Sequence, residues 1–402
     1  MLGKNVWVVL ISMGLILALV GFVADGPRAH GQEDPPAGEE GEDGERTKDR
    51  WVLPSYVDPH PWLQYVRVSP NGKQVFYNQI RRLEGHEADQ SWYSSRWCTY
   101  VLDTTSGMTD DAANTIDRKL TAHFDVYSIE YSPDNKLQLI SLLRRTYPVR
   151  ALFIVRNVKT GKIIAKIPQP ERAWACWLGN KRLAVSRQID KKFGFVYMYS
   201  PKGKKLGRTK FRGRVLAADA AGKILVMMAH KADMTRGVTH AKADVVVLRA
   251  SDGKVLRSVR NARRQKPVTA AISPSAKYVA IGQMCWDYNT VGTDHILNVM
   301  PVDPESEVKP LRISRRAPIM PISISDEGNT IILAENPGGR TFGSVKYMNI
   351  EGKSRVIVPY NASGAQVHGD EVFCLVDADV PFIVATPLET EGDLTGDETK
   401  TP

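Results

Sequence analysis

Val68-Ser69-Pro70-Asn71-Gly72-Lys73 decides the fold, because its pattern of a tight turn, a lysine and an apolar run returns along the chain. Tyr131-Ser132-Pro133-Asp134-Asn135-Lys136 and Ile272-Ser273-Pro274-Ser275-Ala276-Lys277 are the clearest echoes. Serine opens the turn, proline pre-sets φ at the second position, a small polar residue follows and, in the first copy, glycine stands fourth, as a type I turn requires. Aligned on the lysine or its replacement, the copies fall at Lys73, Lys136, Lys181, Lys223, Lys277, Asn329 and Asp370, at intervals of 63, 45, 42, 54, 52 and 41 residues.

After each turn comes a short apolar run, such as Val75-Phe76-Tyr77, Leu183-Ala184-Val185 or Ile331-Ile332-Leu333. Continuous apolarity suits a strand covered on both faces. A third run then leads to a Gly-containing hairpin, as at Lys159-Thr160-Gly161-Lys162, Pro201-Lys202-Gly203-Lys204 and Ser251-Asp252-Gly253-Lys254. The unit is thus four antiparallel strands, repeated seven times with the period of propeller blades. The predicted fold is an all-β, seven-bladed β-propeller over residues 51–388, which leaves only short edges unpaired. The seventh copy lacks a fourth strand, so Trp51 to Val57 is expected to supply it and close the ring, Pro54 being tolerable at a free edge.

Outside that span the composition changes. Lys4 precedes an apolar run from Val6 to Val23, and Ala29-His30-Gly31 offers small residues before Gln32, so residues 1–31 read as a signal peptide or, if uncleaved, a signal anchor. Residues 32–50 and 389–402 are acidic, lack aromatic residues and read as disordered segments. The predicted location is therefore periplasmic or extracellular. With these ends and Lys4 set aside, the +10 of the whole chain becomes 48 basic against 30 acidic groups, or +18, over residues 51–388. Such a field favours anionic partners.

Cys98, Cys176, Cys285 and Cys374 show no metal-ligand spacing and fall in different repeats, so free thiols are expected rather than disulfides. His230, His240, Asp287, Asp294 and His295 lack close spacing, and no metal or cofactor is expected. No Gly-x-Ser-x-Gly elbow or P-loop is present, and no catalytic residue is assigned.

The turns of residues 69–73, 132–136, 273–277 and, more weakly, 325–329 resemble those of the exported, bacterial-type WD40-like and TolB-like β-propellers. The chain departs from WD40 repeats in lacking a Trp-Asp dipeptide at the end of each third strand. The resemblance implies a fold and a binding habit, not an activity.

Strand alternation puts the lysine-rich turns on one face and the longer, irregular loops on the other, where scaffolds tend to carry function. The candidate binding residues are accordingly Arg81, Arg82, Trp92, Tyr93, Arg96, Arg144, Arg145, Arg150, Arg236, Trp286, Tyr288 and Arg340. Arginine among tryptophan and tyrosine suits an interface with a protein or an anionic polysaccharide. The reading is a monomeric binding or scaffolding module of the cell envelope. Export argues against nucleic acid, and the membrane would be met only through an uncleaved N-terminus. A glycan-active hydrolase or lyase at the central channel is the alternative; it needs a carboxyl pair there, and Glu130 and Asp219 are the acids placed on inner strands.

Overall fold

Five of the seven recurring turns are closed by their own first side chain. Ser69 Oγ accepts the Gln74 N–H at 2.9 Å, Ser132 Oγ that of Leu137 at 2.9 Å, Ser273 Oγ that of Tyr278 at 3.1 Å and Ser325 Oγ that of Thr330 at 3.2 Å. In the fourth copy Asp219 Oδ1 does the same for Ile224 at 2.6 Å. The residue before the lysine position takes a left-handed conformation, supplied by Gly72, Gly222 and Gly328 but also by Asn135 and Ala276, both at φ 58°. In the third copy Gly179 carries the positive φ, one residue earlier in the motif than the alignment implies. The lysine itself stays wet, Lys136 keeping 78% of its side chain exposed.

The computed structural model describes residues 50–53, 66–82, 95–116, 118–121, 123–144, 150–189, 192–230, 244–260, 265–285, 295–315, 319–335, 344–360, 362–376 and 382–388. All belong to the unit that begins at Lys48. The expected signal segment and both acidic segments, Arg50 apart, lie outside these residues.

After β1 (Arg50–Val52), the first sheet is β2 (Val66–Val68), β3 (Gln74–Arg82), β4 (Ser95–Asp103) and β5 (Thr109–Asp111). A 3-10 turn, Ala112–Thr115, and a short helix α1, Arg118–Thr121, take up part of the long first interval. The second sheet is β6 (Phe124–Tyr131), β7 (Leu137–Arg144), β8 (Ala151–Asn157) and β9 (Ile163–Gln169). Next come β10 (Arg172–Leu178), β11 (Arg182–Ile189), β12 (Lys192–Phe193), β13 (Phe195–Tyr199), β14 (Lys205–Ala218), β15 (Ile224–His230), β16 (Asp244–Arg249) and β17 (Val255–Val259), all in one eight-stranded sheet. Then follow β18 (Gln265–Ile272), β19 (Tyr278–Cys285), β20 (His295–Pro301) and β21 (Leu311–Arg315), and β22 (Ile319–Ile324), β23 (Thr330–Glu335), β24 (Ser344–Asn349) and β25 (Ser354–Val358). The last sheet is β26 (Ala362–His368), β27 (Glu371–Val376), β28 (Phe382–Pro387) and, at its edge, β1.

The eight-stranded sheet departs from expectation. β14 pairs with β13 through its first half and with β15 through its second, so one 14-residue strand joins what the repeats predict as two separate four-stranded units. Gly213 permits this, because a Cβ there would lie 1.9 Å from the Met228 carbonyl oxygen.

Apolar clusters fill the spaces between successive units. Along β7, Ile140 and Leu142 pack with Phe76 and Val101 on one side, while Leu139 packs with Ala173, Trp177 and Val185 on the other. β27 repeats the arrangement: Val372 and Cys374 join Ala334 and Val345, whereas Phe373 and Leu375 join Val68, Tyr77 and Leu102 of the first sheet. Side chains alternate across a strand, so burial of both faces produces the continuous apolar runs. The first strands of the units touch in series from β6 through β10, β14, β18, β22 and β26, and β26 touches β2.

The N-terminal strand pairs antiparallel with β28, Trp51 opposite Ile383, and occupies Arg50–Val52 rather than the expected 51–57; residues 54–57 are not described. Trp51 stacks on Phe373 at 6.4 Å and donates its indole N–H to the Thr104 carbonyl of the first sheet. Arg50 places its guanidinium 3.8 Å from the Phe382 ring centre.

Removing the turn-closing hydroxyl leaves a backbone N–H without its acceptor, worth about 1–3 kcal/mol. Ser132→Ala is expected to lower stability by that amount in denaturant titration, with Lys136→Ala within about 0.5 kcal/mol of the parent as an exposed change. Equal effects of the two would contradict this account of the turn.

Candidate binding surface

The densest basic run of the described chain leads into β14. Residues 201–214, Pro-Lys-Gly-Lys-Lys-Leu-Gly-Arg-Thr-Lys-Phe-Arg-Gly-Arg, hold seven cations and no acid. Beside them, β13 alternates: Val196 and Met198 pack toward the β15 and β16 side, which leaves Phe195, Tyr197 and Tyr199 on the opposite face. Antiparallel register sets Phe195 opposite Arg212, Tyr197 opposite Arg208 and Tyr199 opposite Lys205.

Cations then sit over rings. Arg208 and Arg212 lie 4.2 and 5.2 Å from the Phe195 centre; Lys205 and Arg187 lie 4.0 and 4.4 Å from that of Tyr197. Arg187 also donates to the Tyr199 hydroxyl at 3.2 Å. Such contacts attract by the ring quadrupole at about 0.5–1 kcal/mol each when exposed. They hold guanidinium groups outward on an edge whose free backbone groups the charges also protect from strand pairing. Arg208, Lys210 and Arg212 are exposed.

Past Gly213 the band continues inward. Arg214 and, from β10, Arg172 each approach Trp174 at 5.3 Å, and Trp174 packs on Phe193. Burial lowers the Arg214 pKa from its usual value, Tyr127 opposing the shift and Arg172 adding to it; an arginine so placed still carries its charge. Arg214 Nε has no hydrogen-bond partner among the described residues. Lys205 thus begins and Arg214 ends a cationic, aromatic strip along one strand.

No protein-family model matches the sequence, and no curated protein is similar to it. Solved structures do share its shape. A chain in the crystal structure of the mitotic checkpoint complex superposes with a TM-score of 0.57 at 14% identity, over 88% of this chain and 99% of that one. The β-propeller domain of the trilobed protease from Pyrococcus furiosus, described as having an open velcro topology, gives 0.50 at 12% identity over 85% and 100%. A prolyl endopeptidase gives 0.50 at 13% identity over 81% of this chain and 46% of its own.

The fold is a β-propeller. At these identities the likeness concerns shape alone, and the four-stranded units can be called blades. Of the loop-face residues expected from sequence, Arg81 and Arg82 end β3 and Arg96 is the second residue of β4, with Arg81 directly opposite Arg96 in register. Arg144 ends β7 and donates its backbone N–H to the carbonyl of Arg150, whose side chain is exposed. Trp92, Tyr93, Arg145, Arg236, Trp286, Tyr288 and Arg340 lie outside the described residues. The strip on β13 and β14 was absent from that expectation, although its signal was present: an acid-free basic run beside alternating Phe195, Tyr197 and Tyr199.

The two acids expected on inner strands have different fates. Asp219 belongs to a turn, not a strand, and its Oδ1 is committed to Ile224. Glu130, on β6, has its pKa raised by burial, with Arg67 acting against the shift. Cys176 and Cys374 are free thiols whose pKa burial raises. Among the described residues no three His, Cys, Asp or Glu side chains converge as metal ligands would.

A carboxyl whose folded pKa is raised favours the folded state when protonated, so that contribution is lost as pH rises through the folded value. Glu130→Gln is therefore expected to raise the melting temperature at pH 8 and to leave it unchanged at pH 4. A variant less stable than the parent at pH 8 would refute the assignment.

Proposed function

We propose that the chain is a seven-bladed propeller, closed by pairing of β1 with β28, that acts outside the cytoplasm as a non-catalytic binding or scaffolding module for an acidic protein segment or an anionic polysaccharide. The observation that carries this reading is the strip from Lys205 to Arg214, where cations held over aromatic rings run along one strand without an acid. Arginine forks bind carboxylates and sulfates with paired hydrogen bonds, and neighbouring rings add stacking surface for a sugar or side chain. Arg81, Arg82, Arg96, Arg144 and Arg150 would extend the contact across the loop ends of the first two blades. One of the propellers with the same shape was solved within a complex, a setting consistent with a scaffold. The apolar run Val6 to Val23 supports an exported location.

The test is retention on an immobilised sulfated polysaccharide. Arg208→Glu with Arg212→Glu should weaken binding at least about tenfold, some 1.4 kcal/mol, and lower the salt needed for elution, while the melting temperature stays within a few degrees. Unchanged retention would remove this strip from the binding surface.

A further inference from the structure

The opposite face, where the tight turns lie, holds a second feature that the proposed function does not use. A cavity of about 880 Å³ opens between the fourth and fifth blades, among the turns at 221–224 and 276–278, the end of β16 and the hairpin that follows β20. That volume falls in the range of small-molecule sites.

Its lining is unequal in charge. Arg182, Lys223, Arg249 and Lys277 stand against one acid, Asp303, whose Oδ1 already accepts the Glu305 N–H of its own turn at 2.9 Å. Arg182 reaches in from the third blade and is fixed by donating to the carbonyls of Gly222 at 2.6 Å and Ala250 at 3.2 Å. Lys223 and Lys277 occupy equivalent positions of adjacent blades. Their backbones are pinned alike, the Lys223 carbonyl accepting from Ala250 N–H and the Lys277 carbonyl from Val302 N–H, both at 2.7 Å. Both lysines are exposed and line the cavity, one from each of the two blades that flank it. Arg249 is partly engaged by Asp252 at 3.3 Å, and Lys277 also faces Asp326.

Much of the remaining wall is apolar, with Ile224, Leu256, Pro301, Val302 and Pro304, and Ser251 and Ser306 add two hydroxyls. The Tyr278 ring lies flat over Gly328 of the next blade, so closely that a Cβ there would come within 2.5 Å of it. The ring thus faces the sixth blade and packs with Ala280, Leu297 and Ile319, whereas Leu256, Ile224 and Val302 belong to the cluster between the fourth and fifth blades.

We infer that this cleft binds a small organic phosphate monoester, its dianion between Lys223 and Lys277 with Arg182 behind, and its ring or hydrocarbon body against Leu256 and Val302. A dianion matches the surplus of cations, and an inorganic ion alone would leave the apolar wall uncovered.

Phenyl phosphate is the probe, measured by calorimetry on the full chain against inorganic phosphate. Saturable binding is expected, at least about fivefold tighter than for inorganic phosphate. Lys223→Ala with Lys277→Ala, both changes at exposed side chains, should weaken it at least tenfold without moving the melting temperature. Arg208→Glu with Arg212→Glu should leave it unchanged, which separates this site from the β14 strip. Absence of saturable binding, equal affinity for inorganic phosphate, or insensitivity to the lysine substitutions would overturn the assignment.

Discussion

A hydroxyl or carboxylate oxygen that accepts the backbone N–H five residues ahead is the constraint on which the other features depend. By closing the turn in five of the seven repeats it fixes where the second strand of those blades starts, and so which of its side chains face which neighbour. A slip of one residue would exchange the faces of the strand, sending Ile140 where Leu139 belongs. Both faces of that strand are buried in cores with different partners, so register here is specified by packing on two sides at once. Asp219 shows the cost of varying the rule. Its Oδ1 performs the serine's task, while Oδ2 is buried without a hydrogen-bond partner among the described residues.

What could be read from the chain follows from what repeats. Turn chemistry is local, and Ser, Pro, Asn and Gly at fixed offsets announce it; the apolar runs after each turn follow from burial on both faces. The N-terminal strand was legible for a different reason, the unpaired end of the last blade, and only its bounds moved, to Arg50–Val52. Two things escaped. Ala276 adopts a positive φ that its residue type does not advertise. The continuity of β14 across two blades depends on the close approach of Gly213 to Met228, a tertiary contact with no local signature beyond a lone glycine.

The same division explains the candidate surfaces. Irregular loops carried the arginines and aromatics expected to bind, yet the described structure builds its strongest basic and aromatic array on a regular strand. Cations at alternate positions read as a solvated face until the partner strand is known. Only the tertiary structure reveals that Lys205, Arg208, Arg212 and Arg214 have rings beneath them. On the turn face, lysines that serve first to keep turns hydrated also line a cleft, because adjacent blades present the same turn position on either side of it.

The central claim is that the cationic strip of β14 is where an anionic partner meets this propeller. Backbone hydrogen exchange of the full chain, followed by mass spectrometry with and without a saturating sulfated polysaccharide, tests it most directly. Slower exchange concentrated in residues 195–199 and 205–214 is the predicted result. Protection confined to other blades, or none in these two segments under saturation, would contradict it.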